Sequence, residues 1–375
     1  MKNALIIVLI VLCSIWLLWI KLNTASPTDS KKTPVAASSS SNNDSQPKTE
    51  REAYQALSGL IRVFESDLVL DNLTPITAAL DKELPQLSPA DRYRIYAQLE
   101  QAINAYIGQL NTEQAEIIER YAALQGQLWQ QLDTADTLAV DPIASEVDQP
   151  LRNPDPETEV AAVDTPAEPL PQPALSPQLA QQKFDQQWPQ FLKQGLSSKQ
   201  QQTLEALAKQ QIQVLYVGEG MYEFWLNPKY WVEHVAPHLA KSDQVYFKQV
   251  AEQEQQPYAY DAGLVISWLQ LGARAQVWAQ YAQDYPDAHF AELAQAKRDN
   301  YLSTLLMGMD NTPTHEQGVL LPEVKAAYAQ LTQQYPNSLL SRTLSLFEQQ
   351  LAEQPEDVPA AARRAIALAK DQISR

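Results

Sequence analysis

Seventeen consecutive residues near the amino terminus, Ala4 to Ile20, are apolar apart from Ser14 and the thiol of Cys13, and Lys2 and Lys21 bracket them. No other stretch limits the fold as strongly, because a run of this kind has to be removed from water. As a helix it rises about 25 Å at 1.5 Å per residue, close to the roughly 30 Å hydrocarbon core of a bilayer. It is longer than the apolar region of a cleaved signal peptide, and Asn23-Thr24-Ala25 places an amide where cleavage wants a small residue. The bulky Leu12 before Cys13 argues against lipoprotein processing. The run therefore predicts an uncleaved transmembrane signal anchor over residues 1–21, with Trp16 and Trp19 at one membrane–water interface. Orientation has two readings. Counting Lys21, Lys31 and Lys32 against Lys2 favours a cytoplasmic cargo. A short lysine-bearing tail followed directly by an apolar run favours export, and a single-pass inner-membrane protein facing the periplasm is the expectation.

Two polar breaks divide the remainder. Residues 22–49 hold the run AASSSSNND, which buries too little apolar surface to offset the entropy of ordering, and read as a disordered Ser/Thr/Pro linker. Residues 133–176 carry ten acids against one base, Arg152, with prolines at 142, 150, 154, 156, 166, 169, 171 and 173. Like charges repel and prolines stiffen, so this second linker reads as an extended acidic spacer. It accounts for about half of the net charge of −17. No basic stripe runs through the chain, which excludes nucleic-acid binding through phosphates.

Between the breaks, residues 50–132 read as a small helical bundle. Ser88-Pro89-Ala90-Asp91 is a helix start, with a capping hydroxyl, a proline at the first helical position and an acid at the third. Ile95, Leu99, Ala102, Ile103, Tyr106, Ile107 and Leu110 then recur at three and four, and Ile117, Ile118, Tyr121, Leu124, Leu128 and Trp129 form a second stripe. Asn111 to Gln114 between them predicts an antiparallel helical hairpin. Residues 177–375 form the main domain. The alternation Ile212, Val214, Tyr216, then Gly218-Glu219-Gly220, then Met221 to Leu226, predicts one short β-hairpin over 212–226. Helices flank it. With only 10 glycines in 375 residues, the fold class expected is mainly α.

A pattern recurs from Leu264 onward. The stretch Trp278 to Ala288, WAQYAQDYPDA, aligns with Tyr328 to Ser338, YAQLTQQYPNS, fifty residues later. Each is an amphipathic helix stopped at Tyr-Pro, since proline disfavours helical geometry in the residue before it. Asp287 or Asn337 is placed to cap the next helix. This resembles the divergent tetratricopeptide-like repeats of bacterial envelope proteins, over residues 264–374. The resemblance implies packing roles for Ala279, Tyr285, Pro286, Ala329, Tyr335 and Pro336, and docking of a protein partner without catalysis. The period is fifty rather than thirty-four, and Met309 to Leu320 reads as an inserted loop.

Motifs for chemistry are sparse. His234 and His238 are four apart, but Pro237 lies between them and no third ligand is placed as a metal motif needs. Gly218-Glu219-Gly220 is too short for a phosphate loop, there is no G-x-S-x-G, and the one cysteine lies in the amino-terminal run. Neither a cofactor nor a catalytic residue is assigned. The polar loop Asp310 to Glu316 reads as an insertion turned by Pro313. Aromatics cluster around the hairpin, and Tyr222, Trp225, Tyr230, Trp231, Tyr258 and Tyr260 are the candidates for meeting a partner. The function read from all this is a membrane-anchored, periplasm-facing scaffold that binds protein partners through its helical repeats. The alternatives are the same scaffold facing the cytoplasm, or an envelope hydrolase using acids near the hairpin.

Overall fold

The computed structural model describes residues 48–138 and 177–373. Three helices open the fold: α1 (Lys48–Ser66), α2 (Leu70–Glu83) and, after a single 3-10 turn, α3 (Pro89–Glu113). Each contributes one stripe: Ala53, Leu57, Ile61 and Phe64 from α1, Leu73, Ile76 and Leu80 from α2, Ile95, Leu99, Ile103 and Tyr106 from α3. The start of α3 follows from its sequence. The Ser88 hydroxyl accepts the Asp91 N–H at 3.4 Å, and the Ser88 N–H donates to Glu50 Oε1 at 2.7 Å. The cap thus also ties α3 to α1.

Helix α4 (Ala115–Leu138) departs from expectation. Gln114 alone separates it from α3, and one residue cannot reverse a chain, which takes two to five. Helices α3 and α4 therefore do not form a hairpin. Ile117 joins the main core, whereas Leu128 and Leu132 pack with Phe184 of α5 (Pro177–Gly195). Leu124 meets the end of α5 at Gly195, where a Cβ would lie 2.2 Å from Leu124 Cδ2. Both polar breaks are shorter than expected, since α1 begins at Lys48 and α4 runs on to Leu138. The rest of those two breaks lies outside the described residues.

Helix α6 (Ser198–Lys209) starts at a capping box, with Ser197 accepting from the Gln200 N–H. The hairpin β1 (Ile212–Gly218) and β2 (Met221–Leu226) comes next, followed by α7 (Lys229–His234) and α8 (Lys241–Glu254). A two-residue hairpin, β3 (Ala259–Tyr260) and β4 (Gly263–Leu264), leads into α9 (Trp268–Asp284) and α10 (Ala291–Met307). The insertion at 309–320 is two further small hairpins, β5 (Gly308–Met309) with β6 (Thr312–Pro313), and β7 (His315–Glu316) with β8 (Val319–Leu320). Helices α11 (Pro322–Gln334), α12 (Leu339–Glu353) and α13 (Val358–Ile373) complete the chain. The described residues are thus mainly helical, with four short two-stranded hairpins rather than the single one expected. One continuous core takes residues from α1–α3 and from the later elements alike, Leu57 and Leu99 together with Phe224, Trp278 and Phe347.

The membrane reading is corrected here. The run Ala4 to Ile20 lies outside the described residues, and no helix among them is long and apolar enough to cross a membrane. Even the longest, α3 and α4, interrupt their apolar stripes with charged and amide side chains. The single-pass, signal-anchored description of the chain is not supported and is dropped.

Candidate functional site

The β1–β2 hairpin is built on its inward side. Ile212, Val214 and Tyr216 pair with Leu226, Phe224 and Tyr222, and a bulge between Tyr216 and Gly218 shifts the register at the turn. The turn places Gly218, Glu219 and Gly220 at φ +107°, +52° and +77°, a left-handed path that suits glycine. Asp261 holds it from outside. Its Oδ2 accepts the Tyr216 hydroxyl at 2.7 Å and its Oδ1 accepts the Glu219 N–H. Donation from that N–H, with the Tyr216 hydroxyl second, keeps the Asp261 carboxyl below the ordinary range. On the other side Asn111 Oδ1 accepts the Phe224 N–H at 2.6 Å, and the Tyr222 hydroxyl donates to Gln125 at 2.6 Å. The hairpin is thereby fixed to α3, α4 and the β3–β4 turn.

The six aromatic candidates separate by burial. Tyr230 and Trp231 are core side chains, 0% and 9% exposed, and cannot meet a partner. The Tyr230 hydroxyl lies 3.0 Å from Thr77 Oγ1, and Trp231 stands edge-on to Tyr96. Tyr222, Trp225, Tyr258 and Tyr260 are half-buried. Tyr258 accepts from Asn300 and packs against Tyr301. Tyr222 and Tyr260 belong to a row of rings, Trp129, Phe184, Trp188, Tyr121, Tyr222, Tyr216 and Tyr260, with neighbouring centroids 4.5–6.0 Å apart. Successive rings are stacked, tilted or edge-on, so each occupies its neighbour. Its rings are half-buried apart from the buried Phe184, and each is covered in part by its neighbours in the row.

The outward side of the hairpin is different. Strand alternation puts Gln213, Leu215, Glu223 and Trp225 there, and Val217 and Met221 extend it at the turn. Val217 is 43% and Met221 53% exposed, and neither Leu215 nor Trp225 packs against the core. The clustering of aromatics in the sequence points to Trp225 but not to Leu215, Val217 or Met221. The signal for Leu215 and Val217 is the unbroken run Val214-Leu215-Tyr216-Val217, apolar at both parities where a half-solvated strand alternates.

The repeat-packing positions are mixed. Tyr285 and Tyr335 end their helices with nearly one backbone, φ −133°, ψ 61° and φ −124°, ψ 60°, and both pack half-buried against the core. Ala279 does the same, but Ala329, Pro286 and Pro336 are exposed. The prolines act through the backbone, by stopping helices, and the packing is done by Trp278, Tyr281, Tyr328 and Leu331. The expected caps also move. Ser338, not Asn337, accepts the Ser341 N–H, and Asn337 takes φ +61° in the turn. Helix α10 starts at Phe290 without a side-chain cap.

A few ionisable groups lie within or against the packing. Asp243, 0% exposed, accepts the Tyr93 hydroxyl and, at 3.3 Å, the Ser242 hydroxyl. Burial and this carboxylate push the Tyr93 phenol up to about 12, so it remains a donor at neutral pH. His289 stacks on Tyr93 at 4.3 Å, and burial lowers its pKa. Glu100 accepts the Tyr96 hydroxyl at 2.5 Å and is raised by burial. Glu254 is raised by burial against the opposing effect of Lys297 at 3.9 Å, and Lys297 is lowered by the same burial. A surface depression of about 440 Å³ lies elsewhere, lined by His315, Gln317, Gly318, Pro355, Glu356 and Val358, and touches none of these acids. His238 Nε2 stands 3.7 Å from Asp81, and His234 Nδ1 is buried without a partner. No group of three or more His, Cys, Asp or Glu among the described residues is arranged to hold a metal ion.

No protein-family model, curated protein or solved structure matches this chain. The functional reading therefore rests on its own residues.

Proposed function

We propose that this chain is a helical scaffold that binds a protein partner at the outward side of its β1–β2 hairpin. The observation that carries the reading is the hairpin's second apolar side. Leu215, Val217, Met221 and Trp225 lie on the ribbon outside the core, Val217 and Met221 exposed and Leu215 and Trp225 half-buried. A two-stranded ribbon normally turns polar residues outward, so an apolar outward side marks a place where another surface is received. The finer architecture belongs to the same proposal. Helices α9–α13 are read as divergent tetratricopeptide-like hairpins. The matched stops at Tyr285 and Tyr335, and the matched burial of Trp278 with Tyr328 and of Tyr281 with Leu331, support that reading. An enzyme is the weaker reading, because Asp243 and Glu100 are each engaged by a tyrosine hydroxyl and Glu254 faces Lys297.

The test is site-specific photocrosslinking in cells, with the reactive residue at Val217 and, as a control of equal character, at Val63, which is 53% exposed on α1. A discrete adduct from Val217 and none from Val63 is expected. Equal labelling at both positions refutes the hairpin as the docking surface.

A further inference from the structure

Resting on that docking surface, we infer that its occupant is an amphipathic helix with an apolar stripe and basic flanks. Three features of the ribbon select this chemistry. The first is how it is open. Asn111 consumes the Phe224 N–H at the β2 edge and Asp261 consumes the Glu219 N–H at the turn, so the ribbon presents a side-chain face there, not free backbone. A strand added at the β1 edge would extend this two-stranded sheet in its own plane and leave the outward side chains uncovered, whereas a helix lies across them. The second is length. Strands of seven and six residues extend about 20 Å. A helix of about fourteen residues covers that distance, and its positions i, i+4, i+7 and i+11 form one stripe along it. The third is charge. Between Ile212 and Leu226 the charged residues are Glu219 and Glu223, both exposed, with no lysine or arginine, and exposed Asp261 adds a third acid beside the turn. A basic flank meets these acids, whereas an acidic one is repelled.

The full chain is titrated against a labelled Leu/Lys peptide of about 18 residues patterned as an amphipathic helix, followed by fluorescence anisotropy at near-physiological salt. A Leu/Glu peptide of the same pattern is the comparison. The Leu/Lys peptide is expected to bind, and the Leu/Glu peptide to bind at least about tenfold more weakly. Val217→Ser combined with Met221→Ser changes only exposed side chains, and should weaken Leu/Lys binding about tenfold with an unchanged far-UV circular dichroism spectrum. Glu219→Gln with Glu223→Gln should weaken it and flatten its salt dependence. If both peptides bind equally and the serine variant loses both, the docking surface stands and the basic partner is overturned. If the serine variant binds Leu/Lys as the native chain does, or if neither peptide binds while Val217 still crosslinks in cells, the helical basic occupant is refuted.

Discussion

Gly272 offers the sharpest test of how the carboxy-terminal helices are put together. It lies within α9, where Leu331 of α11 reaches it so closely that an added Cβ would stand 2.3, 2.8 and 3.1 Å from Leu331 Cδ1, Cδ2 and Cγ. Leu331 is 0% exposed and has little room to retreat. In an open helical position, replacing glycine by alanine stabilises by up to about 1 kcal/mol. Overpacking at a closed contact costs about 1–3 kcal/mol, so Gly272→Ala is expected to destabilise by a net ~1 to 2 kcal/mol. Leu331→Ala alone should cost about 2–5 kcal/mol through its cavity. Combined, the new methyl fills part of that cavity, and the pair should fall short of additivity by roughly 1–3 kcal/mol. Urea unfolding of the four proteins, followed by circular dichroism, measures this. Gly108→Ala is the reference, because that glycine sits in α3 with nothing within 4 Å of its Cβ position, and it should gain stability. The reasoning fails if Gly272→Ala gains as Gly108→Ala does, or if the double variant is additive within about 0.5 kcal/mol.

Three further outcomes follow from the geometry. Tyr93→Phe removes a donor from the fully buried Asp243 and should cost about 1–3 kcal/mol in the same unfolding assay; no loss would mean the contact between α3 and α8 is not a clasp. Glu100 has a folded pKa raised by burial, so its stabilising contribution is full below its unfolded value and fades as pH rises through the folded one. The Tm of Glu100→Gln relative to the native chain should accordingly climb as pH rises above the ordinary glutamate range, and a flat difference would contradict the burial argument. Gly308 and Gly220 share φ near +75°, but only at Gly308 would a Cβ strike backbone, 2.7 Å from Thr312 O and 2.8 Å from Thr314 N. Gly220→Ala should cost about 1 kcal/mol and Gly308→Ala clearly more; equal losses in chemical denaturation would show that the clash is relieved by the loop.

What the sequence by itself determined is where some of the elements begin and end. Ser88-Pro89 marks the start of α3 as it stands in the structure, and Tyr-Pro stops α9 and α11. The 212–226 hairpin is legible from its alternation and its glycines. These are local matters, settled by hydrogen bonds to a capping hydroxyl, a missing N–H at proline or a positive φ, all within a few residues of chain. Tertiary structure alone decided what each apolar side chain faces. Trp225, Tyr230 and Trp231 look alike in sequence, yet Tyr230 and Trp231 are enclosed while Trp225 stays outside the core. Likewise α4 leaves α3 for α5, Asp243 meets a tyrosine 150 residues away, and Leu331 closes on Gly272. Burial is a property of the surfaces that happen to meet, and a stripe on one helix carries no record of which distant stripe covers it.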